Sequence, residues 1–298
     1  MHQILGWADL GIPGGVTPRS YDGRVFDVPT SLSPSRVEQF TTCPLAFRFA
    51  SIEKLPERPS IHTTRGSLVH RALELAYARP AAERTADAFR ASLAAARAEF
   101  AALPDLTELG LDDEQAAALD EECRDLVERY LTMEDPTTVR PIGLELRLSA
   151  DVGSLALRGV IDRLDLRDDG ELVVVDYKTG RAPAVNWEQK RLAGVHFYSF
   201  LCERVLGRRP AVIKLLYLSS GETIEATPSE QSVRFITTRT TAVWEAVERA
   251  CITGDFRPRV GAMCASCSFQ RWCPAFGGEP DRAAVEAPLA VAPTLVTT

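Results

Sequence analysis

Lysine is scarce in this chain. Of 34 basic residues only Lys54, Lys178, Lys190 and Lys214 are lysines. Arginine keeps its proton and presents a planar fork, whereas lysine offers a compact ammonium, so the two differ most where chemistry is done. A lysine retained at 178 in an arginine-choosing protein therefore marks a position to inspect. Long apolar runs are also missing. Nothing approaches the roughly 20 consecutive apolar residues of a membrane-spanning helix, and the opening MHQILGWADLGIPGG has neither the basic flank nor the apolar core of a secretion signal. A cytoplasmic location without membrane partners is the expectation. No internal repeat is present, and an overall excess of positive charge is lacking too: the net charge is -7 over 298 residues.

What is present is ordinary globular usage, 45% apolar and 25% charged, at a length that allows one large or two modest domains. The charge is unevenly placed. Residues 83 to 135 carry fifteen acids against five bases, while residues 178 to 214 carry eight bases against two acids. Local charge decides what a groove attracts. Arg181, Lys190 and Arg191 in the basic stretch are the candidate nucleic-acid contacts.

Along the chain, residues 1–30 are punctuated by Gly and Pro and read as irregular. Ser33-Pro34 is a helix start, with Ser33 as N-cap, Pro34 at the first helical position and Leu32 stapled to Val37. Helices are predicted over about 33–43, 64–79, 81–102 and 112–134, the last two forming an acid-rich helical insertion at about 81–135. From about 140 the period changes. Strands are predicted at 142–150, 154–167, 171–177, 211–218 and 222–226, with Asp168-Asp169-Gly170 as a hairpin turn and helices at 187–206 and 229–252. The catalytic core spans about 140–252. The tail 277–298 reads as disordered. The fold class is mixed α/β.

The strand Glu171–Lys178 poses the functional question, because its valine run ends in Asp176-Tyr177-Lys178. Alternation puts Leu172, Val174, Asp176 and Lys178 on one face, and Val173, Val175 and Tyr177 on the other. Apolar residues on both faces mark a central strand. With Asp162 on the preceding strand, two carboxylates converge as a hard divalent cation requires. A lysine beside them can orient an attacking water or hold developing phosphate charge. An isolated D-x-K is most simply a surface ion pair; here it stands behind a G-x-x-D strand, a hairpin and a buried strand.

Gly159-Val160-Ile161-Asp162-Arg163-Leu164-Asp165 followed by Asp176-Tyr177-Lys178-Thr179 resembles the core of the PD-(D/E)XK nuclease superfamily, specifically its RecB-like exonuclease branch. The resemblance covers residues 31–276. It implies a restriction-endonuclease-like sheet, Asp162 and Asp176 as Mg²⁺ or Mn²⁺ ligands, and Lys178 as the catalytic lysine. Arg65-Gly66-Ser67-Leu68-Val69-His70 fits the branch's upstream histidine motif, which implies His70 as a further ligand. Glu145 reads equally as a neighbour of the metal or a structural salt bridge. The branch follows D-x-K with a helical Gln-x-x-x-Tyr; Tyr198 fits the tyrosine, but Gly194 occupies the glutamine position and Gln189 is too far upstream.

Seven cysteines in a chain expected to be cytoplasmic are read for metal or catalysis before disulfides. Cys264, Cys267 and Cys273 are three thiols in ten positions and lack a fourth partner nearby. By the same resemblance, to CRISPR-associated and AddB-type nucleases, Cys43 joins them in a [4Fe-4S] clasp; the spacing itself equally suits zinc. Trp272 reads as packing over such a cluster, and Cys123, Cys202 and Cys251 as buried fillers. The implied activity is a DNA exonuclease on single strands or ends, in DNA repair or recombination, with a helicase or other DNA-repair proteins as the implied partners. Its rival is an iron–sulfur DNA-binding module with a silent nuclease site. A redox carrier ranks last because it leaves the carboxylates unexplained.

Overall fold

The computed structural model describes residues 25–182 and 188–291, with the side chains of 188–195 and 288–291 outside that description. A mixed sheet forms the middle layer. Its strands are β1 (Ser31–Leu32), β2 (Pro141–Val152), β3 (Leu155–Leu166), β4 (Leu172–Lys178), β5 (Val212–Tyr217) and β6 (Glu222–Ala226). Their order is β1-β3-β4-β5-β6, with β2 paired to β3. β2 runs antiparallel along nearly all of β3, so β3's other edge is shared: β1 pairs parallel at Ala156 and Leu157, and β4 antiparallel from Arg163 to Leu166. β4 and β5 are parallel and β5 and β6 antiparallel.

The valine run of β4 is buried on both faces, and its alternation assigns each residue to a different core. Leu172 and Val174 pack with Ile213, Leu215, Phe200 and Val247, beneath α1 (Pro34–Thr42), α2 (Pro44–Phe47), α7 (Glu188–Leu206) and α8 (Glu230–Thr253). Val173, Val175 and Tyr177 pack with Leu68, Leu73, Phe89 and Tyr130, beneath α3 (Ile61–Tyr77), α4 (Ala86–Phe100), α5 (Pro104–Thr107) and α6 (Asp113–Met133). The helices read as an insertion thus supply one of the two cores. Their acids face outward in pairs such as Arg90–Glu128 and Arg97–Asp120. Among the described residues no helix is long and apolar enough to cross a membrane.

Helix starts follow their caps. Ser33 accepts from the Arg36 amide at 3.3 Å, and Ser60, Asp112 and Ser229 cap α3, α6 and α8. Two differences from the sequence reading stand out. A π-helical turn follows α2 (Arg48–Ile52). The tail expected to be disordered from 277 instead carries α9 (Ala283–Val291), whose Ala283 and Ala287 are buried in the first core; residues 292–298 lie outside the described part. The physical reason is Trp272: its indole N–H donates to Glu286 at 2.8 Å, which Arg282 also engages. The alanine-rich composition hid two small residues suited to close packing.

Ending the chain after Gly278 should therefore lower the melting temperature, by several degrees for the loss of about 1–3 kcal/mol of packing and the Trp272–Glu286 bond. Calorimetry of the shortened protein checks this; an unchanged transition would mean that α9 contributes nothing to the core.

Candidate metal centre

The β3–β4 ladder is built by pairs from Leu166–Leu172 up to Arg163–Val175. One residue further, the same register sets Asp162 opposite Asp176. There the main-chain pattern gives way to a side chain: the Tyr177 amide donates to Asp162 Oδ2 at 2.7 Å. Tyr177 O meets His70 Nε2 at 3.1 Å. A carbonyl only accepts, so His70 Nε2 carries the proton and Nδ1 presents its lone pair. That lone pair faces Asp162 Oδ2 at 3.5 Å. Burial lowers the His70 pKa, which keeps the ring neutral and the lone pair free.

Glu145 completes the group. Ligand atoms of His70, Glu145 and Asp162 lie within 4.8 Å of one another. Glu145 reaches this place through a left-handed backbone, φ +44°, in the middle of β2, a conformation costing a non-glycine residue about 1–3 kcal/mol. Burial first, and then Asp162, pushes its carboxyl pKa up. Asp162 is raised as well, by burial first and then by Asp176. A cation among these carboxyls would favour their ionised forms. The donor set, one neutral imidazole and clustered carboxylates, fits a divalent ion such as Mn²⁺ or Mg²⁺.

Asp176 stands beside this group and is engaged with the lysine: Lys178 Nζ is 2.5 Å from Asp176 Oδ2. Burial works against the Lys178 charge, but Asp176 and Asp162 outweigh it and raise the amine's pKa. Lys178 is thus an ammonium donor. Tyr198 on α7 rests against Gly159, where an added Cβ would stand 3.2 Å from Tyr198 Cε1 and 2.8 Å from Leu201 Cδ1. The glycine of G-x-x-D therefore admits α7 to the sheet. Burial first, then Asp176, Asp162 and Glu145 raise the Tyr198 phenol's pKa, so it remains a donor beside the carboxylates. A Cβ added at Gly66 would stand 3.6 Å from Thr179 Oγ1, an ordinary contact, so an alanine there would fit. Arg181 is exposed just past β4; Gln189, Lys190, Arg191 and Gly194 have side chains outside the description.

A second constellation joins the ends of the chain. Cys43 sits between α1 and α2, and Cys264, Cys267 and Cys273 lie in the short 3₁₀ turns Ala262–Ser266, Gln270–Trp272 and their flanks. All four are half-buried and free of disulfides. Burial first, and then the sulfurs of Cys43, Cys264 and Cys273, raise the Cys267 thiol pKa, and Cys43, Cys267 and Cys273 all pack against the first core. Arg259 Nη1 donates to Thr41 O at 2.5 Å, and the Gly261 amide points at Cys264 Sγ at 3.4 Å. Cys123, Cys202 and Cys251 are buried in the cores.

Residues 31–274 match the sequence model of the PD-(D/E)XK nuclease superfamily. No curated protein matches the chain at a significant level. Among solved structures, a candidate exonuclease from Eubacterium rectale is 10% identical with a TM-score of 0.52, covering 81% of this chain and 88% of its own. The crystal structure of SSO0001 is 15% identical with a TM-score of 0.38, covering 83% and 86%.

Glu145 had no sequence signal stronger than its residue type, because nothing in Leu144-Glu145-Leu146 announces a left-handed turn. The structure yields a sharp expectation. Glu145→Gly should relieve the strain and raise the melting temperature while weakening Mn²⁺ binding at least tenfold. Glu145→Ala should weaken binding alike without the gain in stability. Calorimetry and Mn²⁺ titration of both variants check the pair of effects.

Proposed function

Because the chain belongs to the PD-(D/E)XK nuclease superfamily, we propose that it is a Mg²⁺- or Mn²⁺-dependent DNA exonuclease of the RecB-like type. The observation that carries the reading is the gathering of His70, Glu145 and Asp162 ligand atoms within 4.8 Å of one another, with the Asp176–Lys178 pair alongside. His70 Nδ1, Glu145, Asp162 and Asp176 would hold the ion. When bound, it would polarise a phosphodiester and lower the pKa of an attacking water. Lys178 serves as a donor that orients the water or meets charge developing on phosphate. Tyr198 donates from the α7 side. Arg181, Lys190 and Arg191 supply phosphate contacts along the basic stretch, whose affinity falls with salt. The substrate is single-stranded DNA or a DNA end, in repair or recombination, with a helicase as a fitting partner.

The four cysteines are the ligands proposed for a [4Fe-4S] cluster. Four thiolates equally suit a tetrahedral zinc, and the split arrangement together with the family likeness favours the iron–sulfur cluster. Its energy would contribute to folding, since it links residues 221 positions apart.

A second reading is favoured by one feature, Gly194 at the family's glutamine position: an iron–sulfur DNA-binding module whose nuclease site is silent. Digestion of labelled single-stranded and duplex DNA separates the two. Cleavage should need Mn²⁺ or Mg²⁺, stop in EDTA, and fall at least a hundredfold in Asp176→Ala and Lys178→Ala with DNA affinity kept. Cutting in chelator would refute the mechanism; binding without cutting selects the second reading.

The clasp is tested separately. Protein purified without air should be brown with close to four irons per chain. Cys43→Ser and Cys267→Ser should lose colour and melting temperature together, and Cys123→Ser should keep its colour. Colourless protein with one tight zinc would replace the cluster but keep the clasp.

A further inference from the structure

Among the described residues, Arg163 is the largest fully buried side chain, with 0% exposure. It follows Asp162 directly, yet points to the opposite face of β3, into the core roofed by α3 and α6. Burying a guanidinium costs several kcal/mol unless its donors are all met, and an apolar residue of the same volume would pack there at least as stably. The partners show what the charge accomplishes. Nε donates to Asp165 at 2.9 and 3.0 Å, Nη2 to Glu134 at 2.8 Å, and Nη1 to the phenol oxygens of Tyr130 at 3.0 Å and Tyr177 at 2.8 Å. The guanidinium lies 4.5 Å from the Tyr77 ring centroid, and Tyr77 and Tyr130 hydroxyls bond each other.

Tyr177 is the link to the other face. Its three polar atoms are held by three different partners: Oη by Arg163, the amide by Asp162, the carbonyl by His70. Any rotation of its backbone would move both ligand side chains at once. Burial pushes its phenol pKa well up, so the ring stays a neutral acceptor for Arg163. A lysine at 163 could not span these directions, because its three donors leave from one atom.

We propose that Arg163 is a positioning residue for the metal centre, which it sets through Tyr177 from the far side of the sheet. The acid-rich helices acquire a role in this. Tyr130 and Glu134, at the end of α6, anchor the guanidinium, so α6 braces the centre through Arg163 and Tyr177. The proposal rests on the metal-dependent reading of that centre.

The test compares Tyr177→Phe and Arg163→Lys with Val247→Ala, a cavity in the other core chosen to lower stability without touching the network. Well below each melting temperature, Mn²⁺ affinity is read by electron paramagnetic resonance, and DNA cleavage as kcat and KM. Tyr177→Phe and Arg163→Lys should weaken Mn²⁺ binding about tenfold or more, the scale of lost outer-shell partners, and lower kcat at least as much with KM for DNA nearly unchanged. Val247→Ala should lose melting temperature and keep Mn²⁺ affinity and kcat. If Tyr177→Phe binds Mn²⁺ and cuts like the parent, the proposal is overturned. It is equally overturned if Val247→Ala weakens Mn²⁺ binding as much as the network variants. Should Arg163→Lys not fold, Tyr177→Phe decides alone. A parent that binds Mn²⁺ but leaves DNA intact fails the nuclease reading, and the Mn²⁺ comparison still judges Arg163. A parent that binds no Mn²⁺ overturns both.

Discussion

One backbone residue, Tyr177, governs the centre of this protein. Its amide and carbonyl point toward β3 at the place where the β3–β4 ladder stops, and both are taken by side chains, Asp162 and His70. A buried main-chain polar group must find a partner. Here that obligation is converted into ligand placement: the amide fixes one carboxylate oxygen, and the carbonyl fixes a histidine tautomer. Hydrogen bonding that would otherwise extend a sheet instead holds the pieces of the candidate metal site.

The two-residue period of the strand explains how such a site is stabilised. Asp162 and Asp176 stand on one face of adjacent strands, and Arg163 and Tyr177 stand one position along, on the other. Each ligand therefore has a neighbour in sequence buried in the opposite core. The charged site and its support are separated by the thickness of one sheet, and neither intrudes on the packing of the other. A strand of valines can end in an acid and a base because the residue between them is anchored in the core of α3 and α6.

Much of this was legible in the sequence. The alternation in Leu172–Lys178 assigned its faces correctly, and the G-x-x-D and D-x-K segments named the strands that meet. Periodicity also located α4, α6, α7 and α8 to within a few residues, and the cap at Ser33 marked the start of α1. The remainder depends on tertiary structure. Glu145 points to the site because of a left-handed backbone that propensity does not encode. The role of Arg163 needs partners at 77, 130, 134 and 177, which no local window contains. Helix α9 was masked by a composition shared with disordered tails, and it is ordered by a bond from Trp272 that sequence spacing does not suggest.

The cysteines at the two ends of the chain and the strand that carries Asp176 share one core. Cys43, Cys267 and Cys273 pack against the cluster of buried residues that contains Leu172 and Val174, the residues beneath Asp176 on its own face of β4. Phe49 and Phe269, from opposite ends of the chain, meet there with ring centroids 5.2 Å apart. The two ends of the chain thus meet in the core on which the Asp176–Lys178 face of the site rests, while α3 and α6 hold the Tyr177 face from the other side. The centre is clamped between two cores of different construction. One is braced by a buried guanidinium within the helical layer; the other is sealed where the first helix meets the C-terminal turns.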